Sequence, residues 1–225
     1  MLSNTTGQGN TALGNASLRN NTIGVYNTAI ASGALYYNTT GNYNSAVGFY
    51  SLLLNTTGAY NSAFGMYAMR NNIGGVRNSA FGYGALLTNS VGTNNTAVGF
   101  CALRSNTTGT SNVAVGRSAL ACNTTGTANT ALGQNALLCN TASDNTAIGS
   151  VALACNTTGF NNTAVGRSAL YSNNAGSNNT AVGFYALRSN TTGISNTAVG
   201  TQALYINTSG FGNTAVGRSA LCSNT

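Results

Sequence analysis

The sequence predicts an all-β protein, a parallel β-solenoid (β-roll or β-helix) of about thirteen short coils. Three observations predict it: a 17-residue period running through nearly the whole chain, short β-favouring runs within each period, and Asn and Gly at the corners between them. Counted from the Asn of "NTAVG", the unit begins at Asn10, Asn27, Asn44, Asn61, Asn78, Asn95, Asn112, Asn129, Asn145, Asn162, Asn179, Asn196 and Asn213. The single 16-residue step runs from Asn129 to Asn145, where "NTASDNT" replaces the usual "NTTGxxNT" and carries Asp144, the only acid. It reads as a deletion in a turn, with a functional kink as the alternative.

Within the unit the first position is always Asn, the third Ala, and the fourth Val, Ile, Leu or Phe. The fifth is Gly except at Ala31, the ninth Leu except at Met69, the twelfth Asn throughout, and the fifteenth Gly except at Ser143. Seventeen residues is too short for a helical hairpin repeat, so one unit is one coil. Coils stack at the strand spacing of about 4.8 Å, and thirteen of them would extend roughly 60 Å. Identical residues then sit above their own copies: Val or Leu stack into a core and Asn side chains form amide ladders at the corners. The many N-x-T sequons are a by-product of that corner chemistry rather than a glycosylation signal.

Neighbouring residues on a strand point to opposite faces, yet Ala-Val at positions three and four and Ala-Leu at eight and nine are apolar pairs. One member of each pair is therefore expected to face outward. A flat ladder of small alanines suits packing against a second copy, which makes Ala97, Ala131, Ala164, Ala181 and Ala198 oligomer-interface candidates. The whole chain, 1–225, reads as one repeat array with no separate cap or chaperone domain. Met1 falls at a ninth position and the chain stops at Thr225, just past the twelfth-position Asn224. Such raw ends are expected to meet another copy head to tail or the rest of a longer or processed fibre.

With 42% apolar residues the chain has enough hydrophobicity to fold, but only 4% is charged. There is no His, Glu or Lys and a single Asp, hence no paired carboxylate, no usual general base and no triad. The expectation is a non-enzyme without cofactor or metal. The net charge of +7 comes from eight arginines scattered from Arg19 to Arg218, none stacked directly on another, which argues against a nucleic-acid stripe. No segment is long and apolar enough to insert in a membrane, and "MLSNTTGQG" lacks the regions of a signal peptide.

Two ladders are candidate sites. Tyr26, Tyr43 and Tyr60 hold the seventeenth position of successive coils, followed by Arg77, and Tyr50 and Tyr67 hold the seventh. These rings form either a glycan-binding platform or a structural stack that stiffens the array. Cys122, Cys139 and Cys155 share the eleventh position of three consecutive coils, about 4.8 Å apart, as free thiols in a small apolar slot or as a disulfide-forming ladder. Cys101 and Cys222 lie at other positions of the coil.

The stretches "NTAVGRSAL", "NTTGTANTALGQNALLCNT" and "NNTAVGFYALRSNTTG" resemble the repeats in shafts of bacteriophage tail fibres and related fibres of bacteria and large viruses. They are also similar, less closely, to the head repeats of trimeric autotransporter adhesins. The resemblance covers 4–225 and implies an extracellular, parallel homotrimeric fibre on a virion or bacterial cell surface, serving as stalk or adhesin for surface glycans. A self-cleaving C-terminal chaperone domain often follows in such tail fibres; this sequence shows none. The residues alone leave two alternatives open. One is an ice-binding solenoid, weakened because the second-position Thr rank is interrupted by Ser45, Ser62, Ser79 and Val113. The other is a self-polymerising extracellular matrix filament.

Overall fold

In a computed structural model, residues 2–224 are described; the ninth-position place of Met1 and the chain end at Thr225 lie outside them. The described chain is a parallel β-solenoid with one three-residue strand per coil. It divides into two compact units, one ending at Asn112 and the other starting at Val113. The first holds β1 (Thr11–Leu13), β2 (Thr28–Ile30), β3 (Ser45–Val47), β4 (Ser62–Phe64), β5 (Ser79–Phe81) and β6 (Thr96–Val98). The second holds β7 (Val113–Val115), β8 (Thr130–Leu132), β9 (Thr146–Ile148), β10 (Thr163–Val165), β11 (Thr180–Val182), β12 (Thr197–Val199) and β13 (Thr214–Val216). Within each unit successive strands pair in register, alanine on alanine, as in Ala46↔Ala63 and Ala181↔Ala198.

That register fixes which way the strand residues point, and it corrects the interface expectation. Ala97, Ala131, Ala164, Ala181 and Ala198 are wholly buried inside their own coils, so they are not an outward ladder. The middle residue of each strand faces a thin interior where only a methyl fits. Positions two and four therefore face out, and the fourth-position aliphatics that were expected to fill the core lie on the surface, as at Val98 and Val182. Positions eight and nine are not on a strand, and both point inward: Ala34 with Leu35, Ala102 with Leu103. Among the described residues the core is this Leu rank, with Met69 in its place in one coil, and two ranks of small residues.

Both inward turns depend on backbone that residue preferences would not suggest. Non-glycine residues at positions seven, nine and seventeen have left-handed φ, for example Tyr50 at 54°, Leu52 at 48° and Tyr60 at 59°. Each of these residues donates its N–H to an adjacent coil: Tyr50 to the Ser32 carbonyl, Leu52 to Ala68 and Tyr60 to Asn42, at 3.0–3.1 Å. The positive φ turns the peptide along the stacking axis, where the partner carbonyl lies. A left-handed conformation costs a non-glycine residue roughly 1–2 kcal/mol, while burying a Leu contributes roughly 1.5–3 kcal/mol, so each core Leu offsets its own strain.

The two Asn ranks are buried, and they form the amide ladders that the repeat predicts. Asn38 Nδ2 donates to Asn21 Oδ1 at 2.8 Å and to the Gly41 carbonyl at 3.0 Å. Asn27 Nδ2 reaches that same carbonyl at 2.8 Å, so the first and twelfth positions converge on the fifteenth. The glycine there has a steric reason: its φ is ordinary, but a Cβ on Gly41 would lie 2.4 Å from both Asn38 Oδ1 and the Gly58 oxygen. At the fifth position the reason is conformational as well, since Gly48 has φ 137° and its Cβ would lie 2.5 Å from the Gly65 oxygen. From Asn21 to Asn207 the twelfth-position Asn side chains are sealed in this ladder, so the sequons they begin are closed to modification in the folded chain, whereas Asn4 is exposed.

The short coil keeps the register, with Thr130 opposite Thr146. The Ala142 carbonyl takes the glycine's place, accepting from Asn129 and Asn140 Nδ2 at 2.8 Å each. Ser143, assigned to the fifteenth position by sequence, sits in the sixteenth: its Oγ accepts the Thr127 N–H at 3.0 Å, as Ser177 Oγ accepts that of Phe160 at 3.1 Å. The deleted residue therefore comes from the Thr-Thr step. Elsewhere three successive N–H groups there, those of Thr39, Thr40 and Gly41, share the one Thr56 carbonyl, so one of them can be lost.

Candidate functional site: the ring and arginine face of the first unit

The rings cluster where the coil's variable corners meet solvent. Tyr26, Tyr43 and Tyr60 stack as the period requires, with centroids 5.3 and 5.0 Å apart and planes within 13° and 8°. About half of each ring is exposed, and the Arg77 guanidinium covers Tyr60 at 5.9 Å. The base of this stack rests on glycine: a Cβ on Gly9 would lie 2.5 Å from the Tyr26 ring.

The seventh-position pair does not continue as a parallel ladder. Tyr50 and Tyr67 are 6.3 Å apart and inclined by 39°, because Tyr50 instead packs on Phe49 at 3.9 Å. Tyr67 meets Tyr83 edge-on at 5.9 Å, and Tyr83 stacks on Phe100 at 5.2 Å. Sequence reasoning missed the sixth-position rings, because attention to one position at a time hides contacts between neighbouring positions. It also missed the tenth-position residues that join them. Arg70, Leu53, Tyr36 and Tyr50 line a groove of about 400 Å³ together with Asn15, Ala16, Ser32 and Gly33. A second groove of about 340 Å³ lies between Tyr50, Tyr67, Arg70, Tyr83 and Leu87.

In the second unit Cys122, Cys139 and Cys155 are adjacent free thiols, the first two exposed. They do not fill a closed slot. Burial, then the neighbouring Cys122 thiol, raises the Cys139 pKa above its ordinary value. Burial raises that of Cys155 too, against a lowering hydrogen bond from Tyr171. Among the described residues no group of three or more His, Cys, Asp or Glu could hold a metal ion, and no helix is long and apolar enough to cross a membrane. The chain matches no protein-family model, no curated protein and no solved structure.

Proposed function

We propose that the chain is a structural fibre protein, a stiff β-solenoid shaft on a virion or cell surface whose copies pack together and whose ringed face adheres to glycans. The observation that carries this reading is the outward apolar rank at position four, present on every strand, with Phe64, Phe81, Val98, Leu132 and Val182 all more than a third exposed. An apolar stripe along each unit, without a charged residue on the strands, favours cover by another surface. The partner that matches such a stripe at every level is one with the same repeat, a second and third copy of the chain. The buried polar ladders and coil-to-coil hydrogen bonds leave little to local unfolding, which suits a spacer. No catalytic role belongs to this reading.

A second reading gains from the same geometry. Thr and an aliphatic side chain share the outward face of β8 to β13, six successive coils, where the sequence alone offered a single Thr rank. Such a regular, uncharged face is also one way to order water at an ice surface.

Cryo-electron microscopy with mass measurement decides between them. Three chains around one axis, converted to single folded chains by Val98→Asp with Val182→Asp, is the expected outcome. A single chain with thermal hysteresis would replace the fibre by the ice-binding reading, and length growing with concentration would make it a self-polymerising filament.

A further inference from the structure

Six of the eight arginines project into solvent, whereas Arg70 and Arg188 are half-buried, and each has an Nε shielded from water without a hydrogen-bond partner. The two solve this differently. Arg188 is enclosed by rings, with Tyr171 and Tyr205 of the coils before and after at 5.5 and 5.9 Å and Tyr185 at 5.2 Å. Arg70 has Leu53 and Leu87 at the equivalent places, a single ring, Tyr67, at 6.0 Å, and one long bond from Nη1 to Asn71 Oδ1 at 3.3 Å. No acid exists anywhere in residues 1–112, so its unit supplies no countercharge. A partly desolvated guanidinium with one weak bond favours an anion from outside.

Arg70 also lines both grooves, as does Tyr50. On one side stand Tyr36 and Tyr37, 4.5 Å apart and inclined by 59°, with the Asn15 and Ser32 side chains. On the other stand Tyr67 and Tyr83. The Tyr50 ring between them is seated on Gly33, where a Cβ would lie 2.3 Å from it. Each groove is of the size that takes a small ring compound. Ring faces suit the C–H faces of sugars, amide and hydroxyl groups suit their hydroxyls, and a guanidinium takes a carboxylate through two parallel bonds.

We infer that the paired grooves around Arg70 bind a short acidic oligosaccharide, with the carboxylate of a uronic or sialic acid residue on Arg70 and neighbouring sugar rings against Tyr50 and Tyr67. This rests on the adhesive part of the proposed function, and it shifts adhesion from the Tyr26 stack at the seventeenth position to grooves lined by positions six, seven, ten and eleven. One buried-edge arginine with rings on both sides fits a single carboxylate better than a nucleic acid, which needs phosphate contacts at several successive positions.

The test is calorimetric titration of the full chain with tetragalacturonate, its methyl ester, 3′-sialyllactose and oligothymidylate. One or both acids are expected to bind, distinguishing the uronic from the sialic source. Esterification and Arg70→Gln should each weaken binding about tenfold or more, Arg70→Lys should fall between, and Arg104→Gln, an equal charge change on an exposed tenth-position arginine, should leave it intact. Failure of both acids to bind, indifference to the ester, equal effects of the Arg70 and Arg104 variants, or Arg70-dependent binding of oligothymidylate would each overturn the inference. Mass measured on the same samples separates the two claims: a trimer that binds no acid loses only this site, and a binding single chain loses only the fibre.

Discussion

In the first unit β3 to β5 set Ser45, Ser62 and Ser79 beside Val47, Phe64 and Phe81 on the outward face, between strands that carry Thr; in the second every strand from β8 on carries Thr, as Thr163, Thr180 and Thr197 beside Val165, Val182 and Val199. Twelve of the eighteen aromatic residues belong to the first unit, and the three-membered thiol ladder belongs to the second. Yet both build the coil from the same buried Ala, Leu and Asn ranks. Interior chemistry is therefore held constant while the surface is free to differ, and any recognition must reside in the positions that the repeat leaves variable. The difference between the units is one of decoration.

The largest expected effect probes what the units share. A Cβ at Gly92 would lie 2.3 Å from Asn89 Oδ1 and 2.5 Å from the Gly109 oxygen; at Gly176 the distances to Asn173 Oδ1 and the Gly193 oxygen are both 2.4 Å. Gly92→Ala and Gly176→Ala should each displace the twelfth-position Asn amide of its own coil and the glycine carbonyl of the next, and destabilise by about 3 kcal/mol, measured by chemical denaturation. Gly74→Ala, whose Cβ meets only Thr57 Oγ1 at 3.3 Å, should stay within about 0.5 kcal/mol. Unequal losses at Gly92 and Gly176 would break the equivalence of the two scaffolds.

A smaller effect should separate the units. Tyr43 stacks on both neighbours, so Tyr43→Ala should cost about 1–2 kcal/mol in the same measurement. Ser195→Ala, at the same seventeenth position of the second unit, removes no ring contact and should change stability by less than about 0.5 kcal/mol. Equal losses would show that the rings contribute nothing as a stack.

The solenoid, its coil boundaries, the Asn ladders and the Tyr26 stack were legible because each depends on a residue standing above its own copy, which a period states directly. The inward turn of Ala97 and the outward turn of Val98 were not legible, since a pair of apolar residues on one strand does not say which of them the interior can hold. Nor was the left-handed backbone at Leu52, because intrinsic preference argues against it, and what offsets it, burial of the side chain and the inter-coil bond to Ala68, appears only in the folded stack. The groove at Arg70 was hidden for another reason. Its walls come from positions six, seven, ten and eleven of different coils, a diagonal that alignment on the period separates.

The smallest expected effect concerns the thiols of the second unit. Burial and the adjacent Cys122 thiol raise the Cys139 pKa, and burial raises that of Cys155, so both hold less thiolate at a given pH than an ordinary cysteine. Thiolate is the reacting form, so iodoacetamide should alkylate both more slowly at pH 8 than it does a small unhindered thiol. Their rates should also keep rising above pH 9.0, where the ordinary thiol begins to level off. Cys122→Ala removes the neighbour's contribution but leaves the burial, and should therefore quicken Cys139 only in part. Full recovery would place the cause in the ladder rather than in desolvation. No change at all would show that the two thiols, though stacked, titrate independently.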